Sequence, residues 1–291
     1  MKAKCLVTGG AGFIGSHVTD LLIEQGYDVT VIDNLSTGSK DNLNPKAKFH
    51  LGDITNRRMW RVLPKFRYVF HLAALARIQP SIKDPVPPHD TNITGSLNVL
   101  EYCRREKAKI IYSGSSSIYE GNDLPTDENA SVHPKSPYTL QKYVSEQYIK
   151  LYHELYGLDY AILRYFNVFG ERQLLDGAYA TVLGIFLNQK AKGLPLTITN
   201  DGEQRRDMTY VKDVAMANVM AMTWQGTYNI GTGENYSVNE IADMVGGKKK
   251  YIGNRQGEVR ETLCDNERAI WSGWSPTLSV EEWLDAINHN K

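Results

Sequence analysis

The run Leu6-Val7-Thr8-Gly9-Gly10-Ala11-Gly12-Phe13-Ile14-Gly15-Ser16-His17 constrains the fold more than any other stretch of the chain. The short apolar segment from Cys5 to Val7 reads as a buried strand. The glycines read as a tight turn, and Phe13, Ile14, Val18, Leu21 and Leu22 then recur at helical spacing. Strand, glycine turn and helix is the arrangement in which backbone N–H groups and a helix N-terminus hold a pyrophosphate. Gly10, Gly12 and Gly15 satisfy GxGxxG, and Gly9, Gly12 and Gly15 satisfy the tighter GxxGxxG. Glycine turns also join strands to helices for packing alone, so context decides. A second strand at 28–32 ends in Asp33, about 20 residues on, where a ribose-binding acid belongs. Asp33-Asn34 ahead of Ser36-Thr37-Gly38 is also good turn chemistry. The functional reading is favoured: a carboxylate there accepts ribose hydroxyls and repels a 2′-phosphate, which selects NAD over NADP.

Lys plus Arg and Asp plus Glu both count 33, so the formal charge is zero and no general field attracts nucleic acid or an anionic membrane. Neither is expected as a partner, and phosphate must be held by a few placed groups. Cys5, Cys103 and Cys264 are too few and too widely spaced for a disulfide framework or a zinc site, and no metal is expected. Cys5 and Cys103 lie in apolar patterns, as small core residues do. No apolar run reaches membrane-spanning length and the N-terminus lacks a signal-peptide pattern, so a soluble cytoplasmic protein is expected. A chain of 291 residues has room for one large domain and a smaller lobe.

Further strands are expected at 47–51, 68–72, 109–113 and 160–164, with helices near 55–63, 91–107 and 138–156. This alternation implies an α/β fold, a doubly wound parallel sheet of Rossmann type covered on both faces. Ligands of such a sheet sit at the carboxyl ends of its strands. Gly52-Asp53-Ile54 follow the third strand; Asp53 has two uses open to it, an acceptor for an adenine amino group or a cap for the helix starting near Thr55. His71-Leu72-Ala73-Ala74 follow the fourth. Small residues there let the backbone lie against ribose and pyrophosphate, or simply pack tightly under the sheet edge. His71 has no carboxylate or cysteine nearby in sequence and reads as a satisfied interior histidine. Pro80, Pro85, Pro87 and Pro88 predict an extended loop over 81–88 rather than a helix.

The fifth strand runs into Ser113-Gly114-Ser115-Ser116-Ser117-Ile118-Tyr119, by itself an ordinary serine-rich turn. The segment Ser136-Pro137-Tyr138-Thr139-Leu140-Gln141-Lys142 changes its weight. Pro137 favours a helix start, which puts Tyr138 and Lys142 one turn apart on one face. A tyrosine of pKa about 10 is a poor base at neutral pH. A neighbouring ammonium and the positive nicotinamide ring would favour its phenolate. A surface Tyr–Lys pair is the plainer alternative, but a YxxxK after a hydroxyl-tipped fifth strand in a nucleotide fold is a strong signal.

With these residues in view, the chain resembles the extended short-chain dehydrogenase/reductase family, in its nucleotide-sugar epimerase and dehydratase branch. The resemblance covers nearly the whole chain. Besides the stretches above it takes in Asn92-Ile93-Thr94-Gly95, Leu163-Arg164-Tyr165-Phe166-Asn167-Val168-Phe169-Gly170, Asp201-Gly202-Glu203-Gln204-Arg205-Arg206-Asp207, Tyr210-Val211-Lys212-Asp213-Val214, Arg255-Gln256-Gly257-Glu258 and Gly273-Trp274-Ser275-Pro276. It implies Tyr138 as catalytic base, Lys142 as its pKa partner and nicotinamide-ribose ligand, and Ser115 beside the reacting sugar oxygen. It further implies an NAD site of Gly9, Gly12, Phe13, Ile14, Asp33, Asn34, Asp53, Ile54, Leu72, Ala73, Ala74, Asn92, Ser113, Tyr138, Lys142 and Tyr165. Asn167, Arg206 and Arg255 would hold the substrate diphosphate, two arginines giving a charge-assisted grip. The implied division is an NAD-binding domain of 1–165 plus 206–230 and a nucleotide-sugar lobe of 166–205 plus 231–291. In relatives the helices at 91–107 and 138–156 build a dimer through a four-helix bundle, so a homodimer is expected. Four departures stand out: Gln141 where relatives carry Ser or Thr, Met208 for an aromatic, Glu258 for an aspartate, and Glu120 interrupting Tyr-Gly. Lys248-Lys249-Lys250 has no family role, and a solvated edge is the default.

Dehydratases and sugar-acid decarboxylases of this branch carry an extra acid or base after the serine or threonine at the fifth strand's tip. Here Ser115 is followed by Ser116 and Ser117. The expected activity is therefore C4 epimerisation of a UDP-hexose, through a transient 4-keto sugar that turns over while its diphosphate is held. Thr262 stands where strict UDP-galactose/glucose epimerases carry a bulky tyrosine, which leaves room for an N-acetyl group. A dehydratase or net oxidoreductase of the same fold is the second reading. A non-catalytic NAD-binding protein ranks below both, because such proteins usually lack the Tyr or the Lys.

Overall fold

The computed structural model describes residues 2–253 and 259–289. The chain opens with β1 (Lys4–Thr8), α1 (Phe13–Glu24), β2 (Asp28–Asp33), β3 (Lys48–Leu51) and β4 (Tyr68–His71). Two short helices, α2 (Ile78–Lys83) and α3 (Val86–His89), precede α4 (Ser96–Glu106), β5 (Lys109–Ser115), α5 (Pro137–Tyr156) and β6 (Tyr160–Tyr165). Then come β7 (Asn167–Phe169), α6 (Val182–Ala191), β8 (Leu196–Thr199), β9 (Arg205–Tyr210), α7 (Val211–Met220) and β10 (Gly226–Ile230). The described chain closes with β11 (Asn235–Ser237), α8 (Val238–Val245), β12 (Lys249–Ile252), α9 (Glu267–Trp271) and α10 (Val280–His289).

The large sheet has seven strands in the order β10-β6-β5-β4-β1-β2-β3, all parallel. Side chains of a strand alternate between faces, and the core divides accordingly. Cys5, Val7, Val31, Phe70, Ile111, Ala161 and Leu163 feed one apolar cluster. Their neighbours Leu6, Ile32, Val69, Ile110, Tyr112 and Ile162 feed another, with Trp60, Phe66, Tyr102 and Ile149. Two-sided burial is why these strands read as continuous apolar runs. A second sheet, β11-β9-β7, and the pair β12-β8 stand apart. Strand β9 stays in the small sheet, so the chain re-enters the large one with β10, after α7, rather than at 206. No described helix is long and apolar enough to cross a membrane.

Two expectations fail. The helix near 55–63 is a series of turns with one 3₁₀ turn at Met59–Arg61. The carbonyls that would propagate it are taken by side chains: Ile54 O accepts from Trp60 Nε1 at 2.9 Å and Asn98 Nδ2 at 3.0 Å, and Thr55 O from Asn98 Nδ2 at 3.1 Å. The proline-rich stretch is not extended but forms α2 and α3. Its prolines sit in first helical turns, where a missing N–H removes no intrahelical bond.

Helix α5 begins where the sequence places it. Ser136 and Thr139 form a reciprocal capping box around Pro137, and Gly157 ends the helix at φ +65°. Its depth is set by Glu146, whose carboxylate receives Arg164 of β6: Nη2 to Oε2 2.7 Å, Nε to the two oxygens 3.2 and 3.1 Å. The side chains are 2% and 0% exposed, and the remaining Arg164 nitrogen donates to Tyr119. Gly114 makes the space, since a Cβ there would lie 2.9 Å from Glu146 Oε1. Glu146→Ala would strand a buried guanidinium. The expected loss is about 3–5 kcal/mol of unfolding free energy in urea titration, and a loss below about 1 kcal/mol would show that the pair behaves as if exposed.

Candidate active site

The carboxyl ends of β1, β2, β4, β5 and β6 open into one cleft of about 540 Å³. At its floor the glycine turn folds back on itself: Gly9 N–H donates to Ile32 O at 2.8 Å and Gly12 N–H to Gly9 O at 3.1 Å. Gly9 has φ +74°, and a Cβ there would stand 2.7 Å from Ala73 N; one on Gly15 would stand 2.2 Å from Gly9 O. The turn and the Leu72-Ala73 backbone can therefore approach only without side chains. Helix α1 starts at this turn with no side chain capping it and no acid in its first turn. Its leading N–H groups face an anion-shaped need, which fits a pyrophosphate.

The flanking residues divide into those that line the cleft and those that hold the liners. Gly9, Gly12, Phe13, Ile14, Asp33, Asn34, Ile54, Leu72, Ala73, Ala74, Ser113, Ser115, Tyr138, Lys142, Tyr165, Asn167 and Arg206 all line it. Asp33 also accepts from Ala11 N at 3.0 Å and Leu35 N at 2.7 Å, so one carboxylate both shapes the turn and faces the cleft. Asp53 and Asn92 are not among the liners. Asp53 takes the capping role, accepting from Thr55 N at 2.8 Å, and receives Asn34 Nδ2 at 2.9 Å. Asn92 lies buried under the loop after β4, bonded to both Leu75 N and Leu75 O at 2.9 and 3.1 Å. Its amide also donates to Gln141 Oε1 at 2.9 Å, which explains what a glutamine does in place of a small hydroxyl. His71 is interior and satisfied, against Thr8 Oγ1 at 2.8 Å and Ser96 Oγ at 2.9 Å; burial, then the Lys142 charge, push its pKa down to about 3.

At the reacting end, Tyr138 and Lys142 are both buried on one face of α5. The Tyr138 backbone N–H donates to Ser81 Oγ at 3.1 Å, fixing the helix start on α2. Burial pushes the Tyr138 phenol above its ordinary value; a hydrogen bond with Ser115 and the Arg77 charge pull it back. Arg77, on the loop that leads into α2, adds positive charge on the side of the phenol away from α5. The Lys142 ammonium is held by Ser113 O at 2.7 Å and lies 4.9 Å from the centre of the Tyr112 ring. Ser113 Oγ meets Tyr165 OH at 3.0 Å, and Ser115 Oγ meets Ser117 Oγ at 2.8 Å. Arg77 was not singled out from sequence. Its only signal is position, three residues past Ala74 in the loop that leaves a strand's carboxyl end.

The other wall comes from the small sheet. Asn167 Nδ2 donates to Asp207 O at 3.1 Å and reaches Thr262 Oγ1 at 3.4 Å. Asp207, fully buried, accepts from Thr232 N, Gly233 N and Cys264 N at 2.8 to 3.1 Å, locking the segment that carries Thr262 beside β9. Arg206 Nη1 donates to Arg205 O at 2.8 Å. Met208 is buried in β9 opposite Asn167. Arg255 and Glu258 lie outside the described residues. Among the described residues that line the cleft, Asp33 is the only carboxylate, against three cations, Arg77, Lys142 and Arg206. No group of three or more His, Cys, Asp or Glu among the described residues is placed to hold a metal.

Residues 5–231 match the model of the NAD dependent epimerase/dehydratase family. A protein of Methanocaldococcus jannaschii, provisionally named a UDP-glucose 4-epimerase, is 45% identical over 97% of this chain and 96% of its own. The UDP-glucose 4-epimerase of Thermotoga maritima, solved with UDP-glucose, superposes with a TM-score of 0.94 at 39% identity over 99% of both chains. The UDP-N-acetylglucosamine 4-epimerase of Methanobrevibacter ruminantium, solved with UDP-N-acetylmuramic acid, gives 0.92 at 35% over 100% of both.

The buried ammonium makes stability depend on pH. Burial pushes the Lys142 pKa down to about 8, with Glu146 pulling the other way. An unfolded lysine holds its proton to about pH 10.4. Between those values the unfolded chain binds more protons, so this group's contribution to stability rises with pH; below the window it is flat. Urea titrations across the window should show a more positive pH slope for wild type than for Lys142→Met. Identical slopes would mean the ammonium is solvated.

Proposed function

Since the chain belongs to the NAD-dependent epimerase/dehydratase family, we propose that it epimerises a UDP-hexose at C4 through a transient 4-keto sugar. The observation that carries this reading is the lining of the cleft. At the Tyr138 end it offers hydroxyls and cations, and its one described carboxylate sits at the tip of β2. Epimerisation needs one proton shuttle; dehydration needs a further acid or base.

NAD would lie along the glycine turn, with Asp33 at its adenosine ribose and Lys142 at its nicotinamide ribose, and supplies the acceptor and later the donor of the C4 hydride. Tyr138 takes the 4-hydroxyl proton as the carbonyl forms and returns it to the same oxygen when the carbonyl is reduced. Its phenol is raised by burial, so it needs positive charge nearby to act as a base near neutrality. Ser115, bonded to Ser117 and lining the cleft with Tyr138, would orient that oxygen. Asn167, Arg206 and Arg255 hold the diphosphate, leaving the hexose free to present either face. Thr262 keeps this wall low, which suits an N-acetyl group as well as a plain hydroxyl.

We also infer a homodimer through α4 and α5. Leu140, Leu151 and Leu155 of α5 are exposed, at spacings that share one face of the helix. The three cysteines are free and buried, which suits the cytoplasm.

Incubation with UDP-glucose and with UDP-N-acetylglucosamine, resolved by NMR, should yield the C4 epimer of at least one. Accumulation of a keto or dehydrated product instead would favour the dehydratase reading. Tyr138→Phe should lower kcat by about 10²–10⁴-fold while NAD remains bound; full activity would remove the assigned base. Light scattering should report a dimer for wild type, and Leu151→Asp with Leu155→Asp should shift it to monomer. An unchanged mass would place the interface elsewhere.

A further inference from the structure

Among the described residues, Arg77 stands out as a cation paired with no carboxylate. It begins α2 as its N-terminal flanking residue, lines the cleft beside Tyr138, and is partly buried. Its Nε donates to Tyr179 O at 2.8 Å. That bond fixes the guanidinium plane against the loop before α6 and leaves the two Nη groups without a hydrogen-bond partner among the described residues. No described carboxylate forms an ion pair with it. Asp33, the one acid in the described lining, is engaged by Ala11 N and Leu35 N at the tip of β2. A guanidinium in such a place is ready for a planar anion brought by the ligand.

Position narrows the anion. Arg206, on β9 in the small sheet, stands with Asn167 on the wall assigned to the diphosphate. Arg77 instead caps α2, whose Ser81 receives the Tyr138 N–H, and lines the same cleft as Tyr138, so it stands toward the reacting end. On a hexose, the carbon next to C4 that carries a carbon substituent outside the ring is C5. If that group is a carboxylate, both oxygens fall two bonds from the ring.

We propose that Arg77 is a specificity-determining residue that pairs with a C5 carboxylate, so that the site takes nucleoside-diphosphate hexuronates. The proposal rests on the epimerase reading for its sugar chemistry, and names the sugar class that reading left open.

The test compares UDP-glucuronate with UDP-glucose on the NAD-loaded protein, in wild type, Arg77→Gln and Arg77→Lys. Titration calorimetry reads binding and NMR reads turnover. Wild type should bind UDP-glucuronate more tightly than UDP-glucose and convert it to the galacturonate epimer. Arg77→Gln should cut the ratio of the two kcat/KM values by about thirtyfold or more, and Arg77→Lys should restore part of it. Equal binding of the two ligands by wild type would overturn the proposal, as would equal losses on both in Arg77→Gln, the result expected if Arg77 held phosphate or served only Tyr138. Epimerisation of UDP-glucose with no preference for the acid sinks this inference and leaves the epimerase reading intact. Tight, Arg77-dependent binding of UDP-glucuronate without any epimer supports the inference and sinks the epimerase reading.

Discussion

Lys142 is an ammonium removed from water whose nearest partner is a carbonyl. A buried charge is costly unless hydrogen bonds replace its hydration. Here Ser113 O and the face of Tyr112 do so in part. The nearest carboxylate along the helix, Glu146, is committed to Arg164. The ammonium is thereby kept at the tip of β5, one turn from Tyr138. Everything that sets the height and rotation of α5 serves that placement: the Ser136–Thr139 capping box, the tie from Tyr138 N–H to Ser81, and the ion pair into β6. A rotation of α5 by one residue would swing both side chains off the cleft by about 100°.

The second constraint is steric and lies across the cleft. Gly9 and Gly15 are close enough to backbone that no Cβ fits, so the turn and the loop after β4 share one floor. Asn92 then holds that loop from beneath through both polar groups of Leu75. The cofactor side is thus built from backbone and the reacting side from buried polar side chains. Substitutions on the first act through shape, and those on the second through charge.

Much of this was legible in the sequence because it rests on local chemistry. Strand periodicity, the glycine spacing, the helix start at Ser136-Pro137 and the pairing of Tyr138 with Lys142 all depend on residues near one another in the chain. The failures lie where partners are distant. Residues 55–63 look helical until Asn98 and Trp60 take their carbonyls. The prolines at 80–88 look extended because their count, rather than their place in a first turn, was read. Asp53 and Asn92 belong to the family pattern, and that their side chains also hold cleft residues from behind is visible only in the fold. Arg77 could not be weighed at all, since its importance comes from facing Tyr138 and Tyr179 across the fold.

A site that inverts one carbon must hold two poses of the same sugar, related by a half-turn about the bond to the phosphate. The diphosphate contacts are common to both poses, so they add affinity without choosing between them. A guanidinium fixed through Tyr179 cannot be common to both, because the half-turn carries the C5 substituent to the opposite side of the ring. Its contact with a carboxylate would therefore stabilise one bound epimer over the other. The equilibrium between the free epimers is untouched by any such contact, so tighter binding of one pose shifts the equilibrium between the two bound epimers by the same factor. An arginine at this position would act on the balance of bound states and on which product leaves last, while Tyr138 and the cofactor face set the chemical step for either direction.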